Sequence, residues 1–475
     1  MYTKISETHL RSISSIVGEE HCHSSLDQRK AYGRDETEDL SFPPEAVVTP
    51  ANTEEVSKVM AYCFEQGIPV TPIGGQTGLS GGALSVYGGV GLSLKRLNQI
   101  IEIDTKNLQV ITQPAVIVEE LQNACAEHGL LYAPDPASRG TCWIGGNLAE
   151  NSGGPRAVKY GVTKDWVLNL EVVLPNGEVM ETGANTLKNS TGYNLTQLMV
   201  GSEGTLGVIT RATLKLIPKP KRNILLLVPF ASSVDACSAV SDIFRAGITP
   251  SALEFMERAA IELAMEFTGS HELELADDTE AHLLIEVDGN HEQILMSDCE
   301  TIMTVVEEHG AGEVLFAEDQ AQKDKLWFLR RRVGEAVKAK SIYKEEDTVV
   351  PRYALPELLH GIKKIGLTIG FQSVCYGHAG DGNLHVNILK GDMSNELWDK
   401  ELPAAIRSIF ELVVSLGGTL SGEHGIGLVQ KDYMDIAFKP NVLDLMWETK
   451  KVFDPKLIMN PGKVFPSYYW KGNIM

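Results

Sequence analysis

The segment Ile73-Gly74-Gly75-Gln76-Thr77-Gly78-Leu79-Ser80-Gly81-Gly82 decides the interpretation of this chain. Five of the nine residues from Gly74 to Gly82 are glycines, which is typical of neither a helix nor a strand. Main-chain N–H groups in such a loop can point at one anion, so the segment predicts a phosphate-binding loop. It lacks the Gly-Lys-Ser/Thr of a P-loop and the Gly-x-Gly-x-x-Gly of a Rossmann fold. The alternative is a plain flexible linker.

Two further segments rich in small residues argue against a linker. Residues 134–138 lead into the glycine-rich run 145–154, and a third run covers residues 201–210. Small residues let a ligand approach the main chain closely. Strands predicted at 168–174 and 206–217 lie between and after these runs, and Pro175-Asn176-Gly177 predicts a hairpin turn. Three such segments predict a long diphosphate cofactor laid along the backbone.

A β-α-β unit is predicted to surround the first glycine-rich segment. Residues 1–45 read as a helical lead-in followed by a proline-containing loop. Asn52 as N-cap and Glu55 three residues later indicate a helix start, and Gly67 indicates its end. The residues between them carry an apolar face with helical spacing, made of Val56, Val59, Met60, Cys63 and Phe64. A short strand is then predicted at residues 68–72.

A second domain is predicted after the linker Pro218-Lys219-Pro220-Lys221-Arg222. Its predicted elements are a strand at 224–228, helices at 234–245 and 254–267, a strand at 282–287, a helix at 291–309 and a strand at 312–317. With a hairpin around Gly380, this order predicts an α+β domain with an antiparallel sheet.

Composition excludes several classes of protein. The 475 residues suffice for two or three domains, and 43% hydrophobic with 22% charged residues is ordinary for a globular protein. The net charge of −21 argues against nucleic-acid partners, which need basic surface. No apolar run approaches the ~20 residues of a transmembrane segment, and no signal or transit peptide is expected.

The cysteines predict a reducing compartment. Seven are scattered along the chain, with no Cys-x-x-Cys spacing among Cys22, Cys63, Cys125, Cys142, Cys237, Cys299 and Cys375. This pattern indicates buried free thiols, a cytoplasmic location and no ferredoxin-type iron–sulfur cluster in the chain itself.

The segment Cys375-Tyr376-Gly377-His378-Ala379-Gly380-Asp381-Gly382-Asn383-Leu384-His385-Val386-Asn387-Ile388-Leu389 carries the main catalytic signal. Its last residues alternate as a strand, which directs His385 and Asn387 to one side. The glycines allow a reversal that brings His378 beside His385. Two imidazoles form half of a divalent-metal site, and Glu423 in Ser421-Gly422-Glu423-His424-Gly425-Ile426-Gly427 is the predicted carboxylate ligand. The alternative is that these are ordinary core or surface histidines.

These motifs resemble a known flavoprotein family. Residues 73–82, 134–154 and 201–210 are similar to the flavin-binding segments of the vanillyl-alcohol oxidase/p-cresol methylhydroxylase family. Residues 378–387 and 421–427, with Asn460-Pro461-Gly462-Lys463, resemble its D-2-hydroxyacid dehydrogenase branch. That branch includes FAD-linked D-lactate dehydrogenases, D-2-hydroxyglutarate dehydrogenases and the flavin subunit of glycolate oxidase.

The resemblance implies an α+β fold with a two-part FAD-binding domain and an α+β cap domain. The expected limits are 1–218 for the FAD-binding domain with its lead-in, 219–418 for the substrate or cap domain, and 419–475 for a segment returning to the FAD domain. The expected FAD contacts are Pro72, Ile73, Gly74, Gly75, Gln76, Thr77, Gly78, Leu79, Pro134, Asp135, Ser138, Gly145, Gly146, Asn147, Ala149, Asn151, Ser152, Gly153, Tyr160, Gly161, Glu203, Gly204, Gly207, Ile209 and Asn460. Because Gln76 stands in a loop without histidine, we expect non-covalent FAD, although Cys142 near the second segment leaves an attachment point.

The implied reaction is metal-assisted oxidation of a D-2-hydroxy acid to a 2-oxo acid with hydride transfer to FAD. A metal on His378, His385 and Glu423, whether zinc, manganese or ferrous iron, would stabilise the developing alkoxide. His424 is the expected base, because imidazole titrates near the working pH.

The substrate carboxylate is expected to meet Arg330, in Leu326-Trp327-Phe328-Leu329-Arg330, with Asn387 and Lys344 as further substrate contacts. The chain departs from its relatives in two places. Arg331 stands where the family often has Glu, and the stretch around Lys344 does not align cleanly. The identity of the acid therefore stays open.

Partners and alternatives follow from the same resemblance. An external electron acceptor is expected, either a flavoprotein, a quinone or a cytochrome. Peripheral membrane association, a homodimer and a complex with an iron–sulfur protein stay open. The alternatives are a redox-neutral ether-lipid synthase-like flavoenzyme, a non-catalytic or electron-relay flavin subunit, and a metallohydrolase without flavin.

Overall fold

The computed structural model describes residues 2–37, 40–270, 273, 275–317 and 319–471. The chain forms two compact units. The first comprises Met1–Gly153, Gly161–Lys219 and Glu423–Met475, and the second comprises Gly154–Tyr160 and Pro220–Gly422. The predicted boundaries after residues 218 and 418 lie near these limits, but the prediction assigned the short segment Gly154–Tyr160 to the first domain.

Gly154–Tyr160 belongs to the second unit because its side chains are bound there. Lys159 Nζ lies 2.5 Å from Asp288 Oδ1, and Tyr160 Oη donates a hydrogen bond of 2.8 Å to Asp288 Oδ2. These contacts join residues far apart in sequence, so local patterns could not reveal them.

The first unit contains three sheets. A four-stranded sheet has the order Cys22–His23, Ala46–Val48, Val90–Ser93, Val70–Ile73, and its last three strands are parallel. A five-stranded antiparallel sheet has the order Ile100–Asp104, Gln109–Thr112, Val208–Lys215, Val167–Val173, Val179–Glu181. Ile217–Pro218 pairs with Leu130–Leu131.

The described helices of the first unit include one that follows its sequence signals closely. Asn52 caps Thr53–Gln66 by accepting a hydrogen bond from Glu55 N, and Gly67 ends it at a φ of 68°. Its buried face consists of Val56, Val59, Met60 and Cys63, as the spacing predicts. The other helices are Glu7–Val17, Leu26–Lys30, Val118–Glu127, Ile144–Glu150, Leu195–Met199, Met434–Ala437, Pro440–Phe453 and Ser467–Lys471.

The C-terminal segment completes the core of the first unit. Ile458 and Met459 are fully buried in the cluster that contains Val70 and Val90. Asn460 N donates to Val70 O at 2.8 Å, so the chain end runs beside the strand that precedes the first glycine-rich segment.

The second unit is built on a seven-stranded antiparallel sheet, as predicted. Its order is Leu315–Phe316, Arg222–Phe230, Ala281–Gly289, Ala252–Glu257, Gln372–Gly377, Asn383–Leu389, Tyr343–Val349. The described helices of this unit are Ala157–Tyr160, Ser233–Arg245, Arg258–Thr268, Glu292–Glu308, Gln320–Lys340, Leu355–Ile369 and Asn395–Ser415. No described helix in either unit is both long and apolar enough to cross a bilayer.

One predicted helix began too early. The pattern predicted a helix over 254–267, but Ala252–Glu257 is a central strand and the helix covers only Arg258–Thr268. All six strand residues are buried. A strand with both faces covered loses the alternation that distinguishes it from a helix.

The buried ion pair of Lys450 and Asp454 generates a stability prediction. Lys450 Nζ lies 2.5 Å from Asp454 Oδ2, and it also donates to Thr205 O and Met459 O. Both side chains are at most 1% exposed. Asp454→Ala would leave a buried ammonium uncompensated, so we expect a loss of about 3–5 kcal/mol in the free energy of unfolding, measured by urea denaturation.

The control is Glu54→Ala, which removes the acid of a helical pair with the same four-residue spacing. Lys58 and Glu54 are 58% and 76% exposed. An exposed pair of this kind contributes little, so this variant should unfold almost like the wild type. Equal effects of the two variants would contradict the assigned role of Lys450.

Candidate functional site

Most of the predicted cofactor residues line a cleft in the first unit. Its cavity volume is about 260 Å³. The predicted residues that line it are Pro72, Ile73, Gly74, Gly75, Gln76, Thr77, Gly78, Leu79, Ser138, Gly145, Gly146, Asn147, Ala149, Ser152, Glu203, Gly204, Gly207, Ile209 and Asn460. The three glycine-rich segments therefore line one common space.

Glycines lie where the segments approach one another. A Cβ added to Gly74 would lie 3.7 Å from the main chain of Gly146, so the first and second segments face each other directly. A Cβ on Gly204 would lie 3.2 Å from Pro72 Cγ, so the third segment lies against the residue that precedes the first segment.

The first segment presents unused hydrogen-bond donors. The N–H groups of residues 75–79 donate to no other residue that the structure describes. Consecutive free N–H groups form an anion-binding concavity. The first segment therefore fits the diphosphate of a dinucleotide.

Four non-glycine residues near the cleft have left-handed backbone. Their φ angles are 58° at Gln76, 57° at Asn151, 51° at Glu203 and 42° at Asn460. Each such residue costs on the order of 1–3 kcal/mol and persists only where its surroundings enforce it. Asn460 Nδ2 donates to Gly82 O and Glu203 O, and Gln76 Nε2 donates to Ala31 O. This concentration of strained backbone is typical of a binding site.

The remaining predicted cofactor residues do not line the cleft. They are Pro134, Asp135, Asn151, Gly153, Tyr160 and Gly161. Asp135 instead accepts a hydrogen bond from Arg139, and Asn151 Oδ1 accepts one from Lys164 N. Tyr160 belongs to the second unit, where it binds Asp288.

Several cleft residues were not predicted from the sequence, above all two acids, Asp35 and Glu150. Asp35, Glu150 and Glu203 line the cleft, and only Glu203 was predicted. Burial, together with the charge of Glu203, raises the pKa of Glu150 well above its usual range. Burial raises the pKa of Glu203 to about 7 and lowers that of the adjoining Lys463 to about 7. Glu150 and Glu203 lie inside glycine-rich segments, which was their only sequence signal, and Asp35 had none.

The predicted base and the predicted carboxylate ligand also line this cleft. His424 and Glu423 lie at its wall, with His424 Nε2 3.9 Å from Glu423 Oε1. The first unit therefore brings His424 to the space that the glycine-rich segments form.

The two predicted metal-binding histidines lie together in the second unit. His378 and His385 pack edge to face with ring centroids 5.3 Å apart, and they are 5% and 4% exposed. Gly382 allows the reversal between them, at a φ of 75°, where a Cβ would come within 2.0 Å of Val350 O. The strand Asn383–Leu389 then returns beside Gln372–Gly377, as predicted.

A buried carboxylate that the sequence did not reveal holds His378. Glu254 is fully buried, and both of its oxygens lie 2.9 Å from His378 Nδ1. Glu254 Oε2 is also 2.6 Å from Arg330 Nη2. Burial by itself raises the pKa of Glu254, but His378 and Arg330 reverse this and lower it overall. A carboxylate behind a histidine is the usual support of a metal-binding imidazole, so His378 fits that role.

The residues around His385 share one face of the sheet. In register, His385 lies opposite Asp347, and Asn387 lies opposite Glu345. His385 Nδ1 is 3.4 Å from Glu345 Oε1 and 3.8 Å from Asp347 Oδ1. Successive strand residues point to opposite faces, so the predicted contact Lys344 faces away from this group. The strand Tyr343–Val349 was not predicted, because its charged residues resemble a surface segment.

Arg330 and Asn387, in the second unit, each carry a buried polar atom that is available for a ligand. Arg330 is 5% exposed, and its Nε has no hydrogen-bond partner in the part of the chain that is described. Within the same range, Asn387 Oδ1 is also buried without a partner, while Asn387 Nδ2 donates to Val374 O. Buried polar atoms without partners are rare in proteins, and a ligand is one explanation.

Family comparisons agree with this geometry. Residues 219–464 match the C-terminal domain of FAD linked oxidases, and residues 44–183 match an FAD binding domain. A D-lactate dehydrogenase of Anaerostipes hadrus is 40% identical over 426 residues, covering 89% of each chain. The glycolate oxidase subunit GlcD of Bacillus subtilis (strain 168) is 38% identical over 451 residues, covering 95% of each.

A solved structure supports the predicted fold class. Substrate-bound p-cresol methylhydroxylase superposes with a TM-score of 0.79 over 99% of each chain at 17% identity. The predicted fold, an FAD-binding domain with an α+β cap domain, is therefore confirmed, and so is the predicted oxidoreductase class.

A methyl group added at the wall of the cleft should lower FAD binding without disturbing the fold. Among the described glycines whose φ lies outside the left-handed region, only Gly78 and Gly146 have no atom within 4 Å of an added Cβ. Both line the cleft. Gly146→Ala should therefore leave the fold intact, and replacing a helical glycine should add roughly 0.5–1 kcal/mol of stability to the cofactor-free protein. We expect its FAD content, measured by absorbance after release, to fall.

Gly289→Ala is the control, because its Cβ would also meet only ordinary contact, at 3.4 Å from Leu295 Cδ2, in the second unit. This variant should keep its full FAD content. A Gly146→Ala protein that also keeps full FAD content would show that the space beside Gly146 is not used.

Proposed function

The chain belongs to the FAD-linked oxidases, and from this premise we propose that it oxidises a D-2-hydroxy acid to the 2-oxo acid with metal assistance. The acid is of the D-lactate, glycolate or D-2-hydroxyglutarate type, and the electrons leave to an external flavoprotein, quinone or cytochrome. The observation that carries the proposal is the buried pair His378 and His385 beside Arg330, which suits an anionic substrate on a metal.

In the first unit, the cleft residues would hold FAD without a covalent bond. The N–H groups of residues 75–79 would bind its diphosphate, and the small residues of all three segments would allow it to lie against the main chain. When bound, FAD supplies the hydride acceptor.

In the second unit, His378 and His385 would supply the imidazole ligands of zinc, manganese or ferrous iron. Glu254 supports this role, because it fixes the His378 ring through Nδ1 and leaves Nε2 as the metal-binding nitrogen. Glu423, which belongs to the first unit, is the third ligand predicted from sequence. A metal there would supply Lewis acidity to the substrate hydroxyl.

The proton and the carboxylate of the substrate are assigned to other residues. His424 would accept the hydroxyl proton, which its position at the wall of the FAD cleft supports. Arg330 Nε and Asn387 Oδ1, which are buried without partners among the described residues, would bind the carboxylate and the hydroxyl. Lys344 is left out of this set, because it lies on the other face of the sheet.

Anaerobic mixing with paired D- and L-2-hydroxy acids tests the proposed reaction. We expect one D acid, or glycolate, to bleach the flavin absorbance rapidly, and the L acids to leave it unchanged. Chelation should abolish this bleaching but leave the flavin spectrum and the fold unchanged. A metal with open coordination positions serves catalysis, and the fold does not depend on it.

Zinc, manganese and ferrous iron are then added back separately to the chelated protein. Recovery with one of them identifies the metal. Full activity in protein shown to be metal-free would refute metal assistance. Bleaching by no 2-hydroxy acid in metal-loaded protein would refute the substrate class.

Arg330→Lys tests the carboxylate contact. Lysine keeps a positive charge beside Glu254 but lacks the Nε–H of Arg330. Loss of one charge-assisted hydrogen bond costs about 1.5–3 kcal/mol, so we expect kcat/KM to fall roughly 10- to 150-fold, mainly through KM.

Arg332→Lys is the control, since Arg332 is 40% exposed and pairs with Glu335. It should keep the wild-type KM. If Arg332→Lys raises KM and Arg330→Lys does not, the carboxylate contact has been assigned to the wrong arginine.

A further inference from the structure

Two acids of the FAD cleft, Glu150 and Glu203, have no part in the reaction steps described so far. Glu150 ends the helix Ile144–Glu150, Glu203 lies in the third glycine-rich segment, and both line the cleft together with His424. Carboxylates at a site that accepts electrons are unfavourable neighbours, because they repel added negative charge. Their presence therefore requires an explanation.

The carboxyl groups of Glu150 and Glu203 both lie against Gly425, the residue after His424. An ideal Cβ on Gly425 would lie 2.0 Å from Glu150 Oε2 and 3.1 Å from Glu203 Cδ. Both carboxyl groups thus touch the main chain next to the proposed base. Gly425 has a φ of 81°, so a side chain is excluded there by both space and conformation.

The two groups have unequal hydrogen bonds. Glu203 accepts bonds from Ile426 N at 2.9 Å and Gly427 N at 2.6 Å, which favour its ionised form. Glu150 Oε1 accepts only a long bond of 3.4 Å from Ser80 Oγ. Its Oε2 is buried with no hydrogen-bond partner among the described residues. Glu150 is therefore the member better suited to carry a proton.

Other charged groups face the pair. Asp35 raises the pKa of Glu150 through repulsion, after the larger effects of burial and Glu203, while Lys463 lowers it. Lys463 Nζ donates to Leu84 O and Asn460 Oδ1, not to a carboxylate. Lys431 lies beyond Lys463 and donates to Gly462 O. Three carboxyl groups thus lie near one buried ammonium group. With only one cation among them, the three carboxyl groups cannot all be ionised.

We propose that Glu150 and Glu203 share one proton as a pair, and that the pair takes up a second proton when the bound flavin is reduced. The proposal rests on the proposed function for the source of the proton. The substrate loses a hydride, which goes to the flavin, and a hydroxyl proton, which the pair finally receives. Two electrons and both hydrogens are then accounted for, and the cleft gains no net charge.

The test measures the midpoint potential of the bound flavin against pH, with electrons supplied by an electrode through mediators. As the pH rises, we expect the midpoint potential of the wild type to fall more steeply than that of Glu150→Gln. The difference in slope should correspond to the uptake of up to about one additional proton for each two electrons. Glu150→Asp, which keeps a titratable carboxyl, should restore the steeper slope. Because no 2-hydroxy acid is used, the result does not depend on the proposed substrate.

Glu127→Gln is the control, since Glu127 is exposed at the end of the helix Val118–Glu127. It should give the wild-type slope. Equal slopes for the wild type and Glu150→Gln would overturn the proposal, because a merely structural acid leaves the slope unchanged.

A second measurement needs no variant, in case Glu150→Gln does not retain FAD. The infrared difference spectrum of the wild type on electrochemical reduction should show a gain in the C=O stretch of a protonated carboxyl group. The absence of any protonated-carboxyl change would also overturn the proposal.

Discussion

One buried ammonium group organises the first unit. Lys450 Nζ binds Asp454, Thr205 O and Met459 O, so it joins the last long helix to the third glycine-rich segment and to the chain end. Asn460, directly after Met459, then bonds Gly82 O and Glu203 O. The three glycine-rich segments carry few side chains of their own for packing, so their mutual position depends on such bonds from the C-terminal segment.

A comparable balance of buried charge organises the second unit. Glu254 neutralises Arg330 and orients His378, and these three residues come from different parts of the unit. A buried charge is tolerated only with partners, and removing one partner leaves the others uncompensated. The same contacts that stabilise the histidine cluster therefore also fix the orientation of the His378 ring and of the Arg330 guanidinium group.

The sequence predicted those features that depend on neighbouring residues, and missed those that depend on distant ones. The helix Thr53–Gln66, the reversal between His378 and His385, and the glycine-rich walls of the cleft all have local signals. Glu254 reads as a helical surface residue, because the partners that allow its burial lie far along the chain. The strand Tyr343–Val349 was missed for the same reason, since its acids face His385 and Asn387. Glu150 resembles any acid at the end of a helix until Gly425 is placed against it.

The discontinuous first unit has a consequence for biosynthesis. Its core includes Ile458 and Met459, and the strand Val70–Ile73 pairs with Met459 through an isolated bridge. Domains usually fold in the order in which they leave the ribosome. Here the N-terminal part of the chain emerges first but lacks the strand partner and the core residues supplied by its final segment. The second unit, Gly154–Tyr160 and Pro220–Gly422, is fully synthesised earlier. The first unit must therefore wait until Ile458 and Met459 have been synthesised before its core can close.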